Sequence, residues 1–395
     1  MPGPLDGYRI LDLTQMISGP MATMILADQG ADVIKVEPPI TGDLTRALGG
    51  RRHGMSPTFA VANRNKRSVV IDLKSKDGVA LLKRLLGRAD LLVQNFRPGT
   101  VERMGIGYEE LHPLKPDLVY VSISGFGETG PYIHKRVYDP VVQALSGLAS
   151  IQRDPISQRP RMMRVIVPDK VTALTAAQAM TAALLARERT GKGQHVRLAM
   201  LDATVAFLWP ESMARYTFIN PGHDTALRPS DIPDLVFETA DGYITAGAVS
   251  DNEWAGMCRA LERPEWLNDA RFKSPADRVR NAGIRIEITA EVLKTQTSAT
   301  WLERLDREQV PCAPILNREE LLDDPQIAAN HLIVESVHPH AGAMRQPRPA
   351  ARFADTPAGI RFPAPVLGEH TDTVLGEAGI TSEELSHLHQ TAVIA

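Results

Sequence analysis

The sequence predicts an α/β fold in which a parallel sheet is covered by helices. Short apolar strands alternate with helical stretches through the first half of the chain, and glycines or prolines mark the ends of these elements. At 395 residues the chain is too long for one ordinary core, so we expect two domains. In folds of this class, sites lie beyond the carboxyl ends of the strands.

The elements of the first domain follow one another as repeated strand and helix signals. The first unit reads as strand "YRILDLT", turn "QMISGP", helix "MATMILADQG" ending at Gly30, and strand "ADVIKVEPP". The pattern continues with strand "SVVIDL", helix "DGVALLKRLLGRA", strand "DLLVQN", helical "TVERMG" and "YEELHPLK", and strand "DLVYVSIS". A long helix rich in small residues then runs to about Arg189, and "HVRLAMLDA" predicts a further strand.

Two stretches rich in proline and turn formers interrupt this regularity, at 210 to 234 and at 337 to 365. Connections of this length without structure are uncommon inside a compact domain. We therefore predict that the chain leaves the first domain, builds a smaller one and returns. The predicted boundaries are 1–210 for the large domain, 211–234 for a linker, 235–330 for the small domain, 331–365 for a second linker and 366–395 for the return.

The composition excludes several classes of function. A formal net charge of -3 supplies no basic field, so neither nucleic acid nor a membrane surface is expected as partner. No apolar run approaches the length of about 18 residues that a bilayer requires, and no signal peptide is evident, so we expect a cytoplasmic protein. The two cysteines and the histidines of "VHPH" and "HLH" lack ligand spacing, which predicts surface histidines and no metal site.

Common nucleotide-site motifs are absent from the sequence. Glu37 ends the second strand, as an acidic residue does in dinucleotide sites, but the loop "QMISGP" lacks the G-x-G-x-x-G pattern. Without those glycines the backbone cannot approach a pyrophosphate closely, which argues against a nicotinamide oxidoreductase. No G-x-S-x-G elbow or P-loop sequence occurs, so hydrolase and kinase functions lack support.

One carboxylate, Asp169, stands between an apolar run ending in Pro168 and the long helix. Aspartate is a preferred helix N-cap, and a helix N-terminus also stabilises an anion placed against it. From the neighbouring residues alone, a capping role and a catalytic role both remain open.

Six segments together decide the family that the chain resembles. They are "LDGYRILDLTQMISGPMATMILADQGADVIKVEPP", "NRNKRSVVIDLKSKDG", "LVQNFRPGTVERMGIGYEEL", "VYDPVVQALSG", "TGKGQHVRLAMLDA" and "APVLGEHTDTVLGEAG". In this order, over nearly the whole chain, they resemble the family III (CaiB/BaiF-type) coenzyme A transferases. The resemblance implies a Rossmann-like large domain with a parallel sheet plus a smaller α/β domain. It also implies a ring-shaped chain in an interlaced homodimer with active sites at the dimer interface.

The resemblance assigns Asp169 the role of nucleophile, with capping as a second duty. It implies an acyl-CoA donor and a carboxylic acid acceptor as partners, with the coenzyme A thioester as substrate and no permanently bound cofactor. Arginine and lysine suit the phosphates of CoA, and an apolar groove suits its pantetheine arm. The CoA-binding residues carried over by motif are Ile17, Lys74, Asn95, Phe96, Arg97, Arg103, Met104, Arg136 and Tyr138.

Two positions bear on the acyl group. Members that handle formyl and oxalyl groups have a glutamine where this chain has Ile17, and a longer glycine-rich loop where "TAGAVSDN" holds only Gly247. The resemblance therefore favours a larger or less polar acyl group over a short dicarboxylate such as oxalate.

Two alternatives stay open beside CoA transfer. The same fold includes 2-methylacyl-CoA racemases, which exchange a proton with an Asp and a His. Here no histidine lies between His134 and His195, although two-base exchange needs a second base within reach. The other alternative is a CoA-binding protein without turnover, against which the retained Asp169 argues.

Overall fold

A computed structural model describes residues 2–154, 156–219 and 234–395. Most of the first predicted linker, 220–233, lies outside the described residues. The chain forms two compact units. The first contains Met1–Ala149, Met162–Glu211 and His331–Ala395, and the second contains Ser150–Arg161 and Ser212–Asn330.

Within the described ranges, the strands form three sheets. In chain order they are β1 Arg9–Asp12, β2 Asp32–Glu37, β3 Lys66–Val70, β4 Leu91–Gln94, β5 Val119–Ser124, β6 Gln194–Ala199, β7 Val236–Glu238, β8 Tyr243–Ala246, β9 Cys312–Pro314, β10 Ile333–His338 and β11 Gly342–Pro347. The first six build one parallel sheet in the order β3-β2-β1-β4-β5-β6. The predicted α/β fold with a parallel sheet is thereby confirmed.

The α-helices account for most of the remaining regular structure. They are α1 Ser18–Asp28, α2 Pro57–Ala62, α3 Lys76–Leu86, α4 Thr100–Arg103, α5 Tyr108–Leu111, α6 Asp139–Leu145, α7 Leu148–Ile151, α8 Val167–Thr190, α9 Met200–Leu208, α10 Asp251–Ala260, α11 Pro275–Arg280, α12 Ala282–Leu293, α13 Ser298–Arg307, α14 Pro325–Ala329, α15 Thr371–Glu377 and α16 Ser382–Gln390.

Both faces of the parallel sheet are buried, which explains its continuous apolar strands. Successive side chains of β1 point to opposite faces: Ile10 joins the core formed with α1 and α8, and Leu11 joins the core formed with α3 and α15. The α8 side of the first core is built largely from alanines such as Ala173 and Ala176, which allow close approach of α1.

The strand order reverses direction between β1 and β4. From β1 the chain adds β2 and β3 on one side, whereas β4, β5 and β6 extend the sheet on the other. The loops that follow β1 and β4 therefore diverge above the carboxyl ends of these strands and leave a crevice, as at every topological switch point of an open α/β sheet.

Three predicted boundaries differ in the structure. Helix α1 begins at Ser18 rather than after Pro20, because proline is tolerated in the first turn of a helix. Strand β6 ends at Ala199, and the "MLDA" that follows begins α9. Helix α8 begins at Val167 with Ile166 at the N-cap, so Asp169 is the third helical residue and the N-cap role does not fall to it.

The segment 331–365, expected to be a linker, contains the antiparallel hairpin β10–β11 in the first unit. His338 at the end of β10 is buried, so the prediction of a surface histidine was wrong there. Its Nε2 lies 2.9 Å from the Ala364 carbonyl oxygen, and its Nδ1 accepts the His340 N–H at 3.1 Å. Both ring nitrogens have backbone hydrogen-bond partners, which explains how this histidine is buried without a ligand.

The second unit is a smaller α/β body. Strands β7, β8 and β9 form an antiparallel sheet, and helices α10, α12 and α13 contribute to a separate core around Trp254, Phe272 and Trp301. Helix α10 begins with a capping box, in which Ser250 and Glu253 satisfy each other's backbone N–H groups.

Candidate active site

A cavity of about 460 Å³ opens at the switch point between β1 and β4. This volume is ordinary for a small-molecule site. The described residues that line it all belong to the first unit. It is lined by Gln15, Met16, Ser18, Leu44, Asn95, Phe96, Arg97, Pro98, Ile123, Ser124, Gly125, Phe126, Gly127, Ile133, Lys135, Arg136, Val137, Tyr138, Asp169 and Met200. Most of these residues follow β1, β4 or β5, where parallel strands end on one edge of the sheet.

Asp169 projects into this cavity from the first turn of α8 and is half-buried. Burial raises the pKa of its carboxyl group to about 6, the Asp139 carboxylate adds to the rise, and a hydrogen bond from Ser18 opposes it. Because that pKa still lies below 7, the group is mostly ionised at neutral pH. It is a less hydrated anion than a surface carboxylate, as a nucleophile should be.

Asp139 is the first residue of α6 and is fully buried behind Asp169. One of its oxygens accepts the backbone N–H of Asp169 at 3.1 Å, and the other accepts a hydrogen bond from Gln143 Nε2 at 2.6 Å. Gln143 in turn accepts the backbone N–H of Met163 at 2.9 Å, which ties α6 to the segment that leads into α8. The second carboxylate therefore both positions the start of α8 and raises the pKa of Asp169.

Three helices begin at the wall of the cavity. Ser18 opens α1, Asp169 lies in the first turn of α8, and Met200 opens α9. The helix dipole makes each of these ends favourable for negative charge. The cavity is thus suited to an anion, whether the Asp169 carboxylate itself or an acid bound beside it.

Six of the residues predicted from the sequence line this cavity together: Asn95, Phe96, Arg97, Arg136, Tyr138 and Asp169. The side chains of Arg97, Arg136 and Tyr138 are exposed and form its rim. The Asn95 amide is bound to the backbone of Gln15, donating to its carbonyl at 2.8 Å and accepting its N–H at 2.9 Å.

The remaining predicted residues are not among those that line the cavity. Ile17 is the half-buried N-cap of α1, between two lining residues. Lys74 is exposed in the turn before α3, and Arg103 is exposed with its guanidinium donating to Thr100 at 3.2 Å. Met104 packs against the core beneath α3.

Sequence reasoning missed several residues of the site. Asp139 is followed by Pro140, a pair typical of a helix start, and this signal could have placed it beside a functional helix end. Lys135 adjoins Arg136 and adds a third positive charge to those of Arg97 and Arg136 at the rim. Met16 and Ser18 could be assigned only once α1 and α8 were known to pack side by side.

No group of three or more histidine, cysteine, aspartate or glutamate side chains gathers at metal-binding distance within the described parts of the chain. Among the same residues, no helix combines the length and apolar character needed to cross a bilayer.

The sheet, the switch-point cavity and its rim of Arg97, Lys135 and Arg136 define the class: a doubly wound α/β protein with a cavity suited to an anionic ligand. The chain belongs to CoA-transferase family III, whose family model matches residues 5–371. It is therefore a CoA-transferase, and the family resemblance seen in the sequence is confirmed.

Individual relatives agree with this assignment. The chain is 37% identical over 380 residues to human "Succinyl-CoA:glutarate CoA-transferase", covering 95% of this chain and 86% of that one. It is 33% identical to "Succinyl-CoA--D-citramalate CoA-transferase" of Chloroflexus aurantiacus, covering 100% and 98%. A crystal structure of a CaiB/BaiF family protein from Brucella suis matches with a TM-score of 0.81 and 30% identity, covering 96% of this chain and 100% of that one.

Proposed function

We propose that the protein moves coenzyme A between two carboxylic acids through covalent intermediates on Asp169. One observation carries this proposal: Asp169 is the only carboxylate among the described residues that line the cavity, and it lies there half-buried with a raised pKa. A carboxylate in this setting is a nucleophile toward a thioester, and the family resemblance assigns it that role.

The reaction divides into four acyl transfers. The Asp169 carboxylate attacks the thioester carbonyl of the donor, which forms a mixed anhydride and releases CoA thiolate. The thiolate attacks the aspartyl carbonyl, which releases the first acid and leaves an aspartyl-CoA thioester. The acceptor carboxylate then attacks this thioester, which forms a second anhydride and releases CoA thiolate again. The thiolate attacks the acyl carbonyl of the acceptor, which gives the new acyl-CoA and free Asp169. No proton is consumed, and exclusion of water protects the anhydrides.

The cavity rim supports a place for the CoA moiety. Arg97, Lys135 and Arg136 lie at its opening, and their charges suit the phosphates of CoA. Phe96 and Tyr138 offer apolar surface for the pantetheine arm, which must reach inward to Asp169. We assign these five residues to CoA binding.

The choice of acids is argued from the relatives. Both relatives described above are named for succinyl-CoA as a substrate, with glutarate or D-citramalate as the second acid. We propose succinyl-CoA as donor and a dicarboxylate longer than oxalate as acceptor. Ile17 and the single Gly247 support the same preference against oxalate.

The functional assembly in this proposal is an interlaced homodimer of ring-shaped chains. Apolar side chains are exposed on the first unit along α8 and at the end of α9, including Leu174, Leu185, Phe207 and Trp209. Exposed apolar surface of this kind is typical of an interface. A second copy of the chain would cover it, in accord with the family resemblance.

The test incubates the native protein with succinyl-CoA and glutarate, D-citramalate or oxalate, and follows new acyl-CoA species by mass spectrometry. We expect new thioesters and a CoA adduct on the peptide that contains Asp169, with oxalate the poorest acceptor. Asp169→Ala should abolish both signals. Asp77→Ala is the matched control, because Asp77 is an exposed first-turn aspartate in α3.

Other outcomes identify the alternatives. Turnover that persists in Asp169→Ala would refute the proposed nucleophile. Deuterium uptake at the alpha carbon of a chiral acyl-CoA, without exchange of acids, would indicate the racemase. Tight CoA binding with neither reaction would indicate a protein that only binds acyl-CoA.

A further inference from the structure

The loop between β1 and α1 is held by side chains from elsewhere in the fold. The Thr14 N–H donates to Asp12 Oδ1 at 2.9 Å, and the Thr14 carbonyl accepts Lys35 Nζ at 2.8 Å. The Gln15 N–H and carbonyl are both bound by the Asn95 amide, at 2.9 and 2.8 Å. Main-chain groups of a loop usually face water or one another, so this arrangement indicates a loop fixed in one conformation.

The next residue carries a strained backbone. Met16 has φ of 70°, in the left-handed region that residues with a Cβ rarely adopt. Its N–H donates to Asp43 Oδ1 at 3.2 Å. A non-glycine residue remains in this region only where its surroundings impose the conformation. Met16 also lines the cavity, so the strain lies at the site itself.

Asp43 does not move freely. Its side chain and that of Lys35 are fully buried, and their charged atoms lie 2.8 Å apart. Burial would raise the pKa of the Asp43 carboxyl, but Lys35 and the hydrogen bonds from Thr45 outweigh it and hold the pKa below its ordinary value. The backbone N–H of Asp43 donates to Glu37 Oε2 at 2.8 Å. Asp43, which holds Met16, is thus itself fixed by contacts with Lys35, Thr45 and Glu37.

The loop ends at Ser18, which is buried, opens α1 and lines the same cavity as Asp169. A shift of Met16 would therefore move the wall of the cavity and the start of α1 relative to the nucleophile. Displacements of about 1 Å at a reacting group cost up to about 100-fold in rate.

We propose that Asp43 is a positioning residue for catalysis, which holds Met16 in its left-handed conformation and thereby places the start of α1 against Asp169. Asp43 itself is not among the residues that line the cavity, so it acts through Met16 rather than on substrate. This inference rests on the proposed function, in which Asp169 is the nucleophile.

The experiment measures kcat and KM for succinyl-CoA in the single variants Asp43→Ala and Asp43→Asn. The same two substitutions are then measured in combination with Met16→Gly. Glycine adopts positive φ without steric cost, so at position 16 it depends less on the hydrogen bond to Asp43. With Met16 present, we expect Asp43→Ala to lower kcat about 10- to 100-fold with little change in KM. Asp43→Asn keeps an acceptor for the Met16 N–H, so we expect a smaller fall. In the Met16→Gly background, the effect of Asp43→Ala on kcat should shrink to about threefold or less.

Two controls keep the outcomes distinct. Asp28→Ala breaks another buried ion pair of the first unit, in which Asp28 and Arg64 lie 2.7 Å apart. Neither residue lines the cavity, so the folded fraction of this variant should keep the native kcat. Asp169→Asn is assayed in parallel for transfer and for the CoA adduct. If Asp169→Asn transfers CoA normally, the proposed function itself fails.

If instead Asp169→Asn is inactive while both Asp43 variants keep the native kcat, only the positioning role is overturned. The positioning role would also be overturned if Asp43→Ala lowered kcat by the same factor with Met16 present and in the Met16→Gly background. If Asp43→Ala does not fold, Asp43→Asn decides, because a native kcat in that variant with Met16 present contradicts the proposal.

Discussion

At the residue scale, the chemistry depends on one carboxyl group placed where its charge is disfavoured. Asp169 is half-buried and faces Asp139, and both features raise its pKa, while Ser18 and the first turn of α8 favour the anion. The balance leaves the carboxylate mostly ionised at neutral pH, as the proposed nucleophilic role requires. Each of these opposing influences can be tested separately.

The pH dependence of transfer tests the raised pKa. In the proposed mechanism the ionised carboxylate is the nucleophile, so kcat should fall as pH drops through about 6, the pKa of Asp169. Asp139→Asn removes the neighbouring negative charge, so the acidic limb of the pH–rate profile should move to lower pH. Asp77→Asn, remote from the cavity, should leave the profile unchanged. An acidic limb that stays in place in Asp139→Asn would show that Asp139 does not influence the nucleophile.

The same shift predicts a gain in stability on loss of function. A carboxyl group with a raised folded-state pKa is destabilising when ionised, fully so above about pH 6 and not at all below the unfolded value of 3.8. Asp169→Asn should therefore increase the free energy of unfolding at pH 7.5 by about 1–2 kcal/mol and abolish transfer. Urea unfolding at pH 7.5 and at pH 3.5 measures this, and the difference should vanish at the lower pH. A variant less stable than the native protein at pH 7.5 would contradict the expected burial cost.

At the element scale, the site depends on how closely α1 approaches the end of β1. A Cβ placed on Gly19, the second residue of α1, would lie 2.3 Å from Cβ of Thr14, far inside van der Waals contact. Side-chain-free backbone at this position lets the helix begin directly beside the loop that lines the cavity. The small side chains along α8 likewise allow α8 to approach α1 closely.

Gly19→Ala tests this close contact. The added methyl group must displace Thr14 or α1, so we expect a loss of about 1–3 kcal/mol in stability and a lower kcat in the folded fraction. Gly283→Ala is the matched control, because that glycine lies in helix α12 with open space where an alanine Cβ would stand. The control should be neutral or slightly stabilising. Equal behaviour of the two variants in chemical denaturation and turnover would refute the packing argument.

At the scale of the whole molecule, the proposed dimer would cover the exposed apolar side chains of α8 and α9. If two ring-shaped chains are threaded, sedimentation equilibrium should give twice the chain mass of 43.2 kDa. Dilution should not release monomers, because separation of threaded chains requires unfolding. The loss of dimer mass should then coincide with the loss of helical circular dichroism in urea. An active monomer at low concentration would contradict the interlaced assembly.

The sequence by itself determined the kind of fold and the family. Alternating strands and helices predict a parallel sheet because buried strands and amphipathic helices have distinct local periods. The segments around "LDLTQMISGP" and "QNFRPG" point to the family because they are short contiguous motifs, and Asp169 could be singled out because it stands alone at a helix start. All these signals are local in the chain.

Only the tertiary structure decided what surrounds Asp169. The pairing of β1 with β4 brings Gln15 beside Asn95 across 80 positions of sequence, and the packing of α6 on α8 places Asp139 behind Asp169. The left-handed Met16 and its buried partner Asp43 carry no local signal either, since a methionine gives no warning of positive φ. Burial, strain and pKa depend on contacts between distant segments, and a pattern read along the chain does not contain those contacts until the sheet order is known.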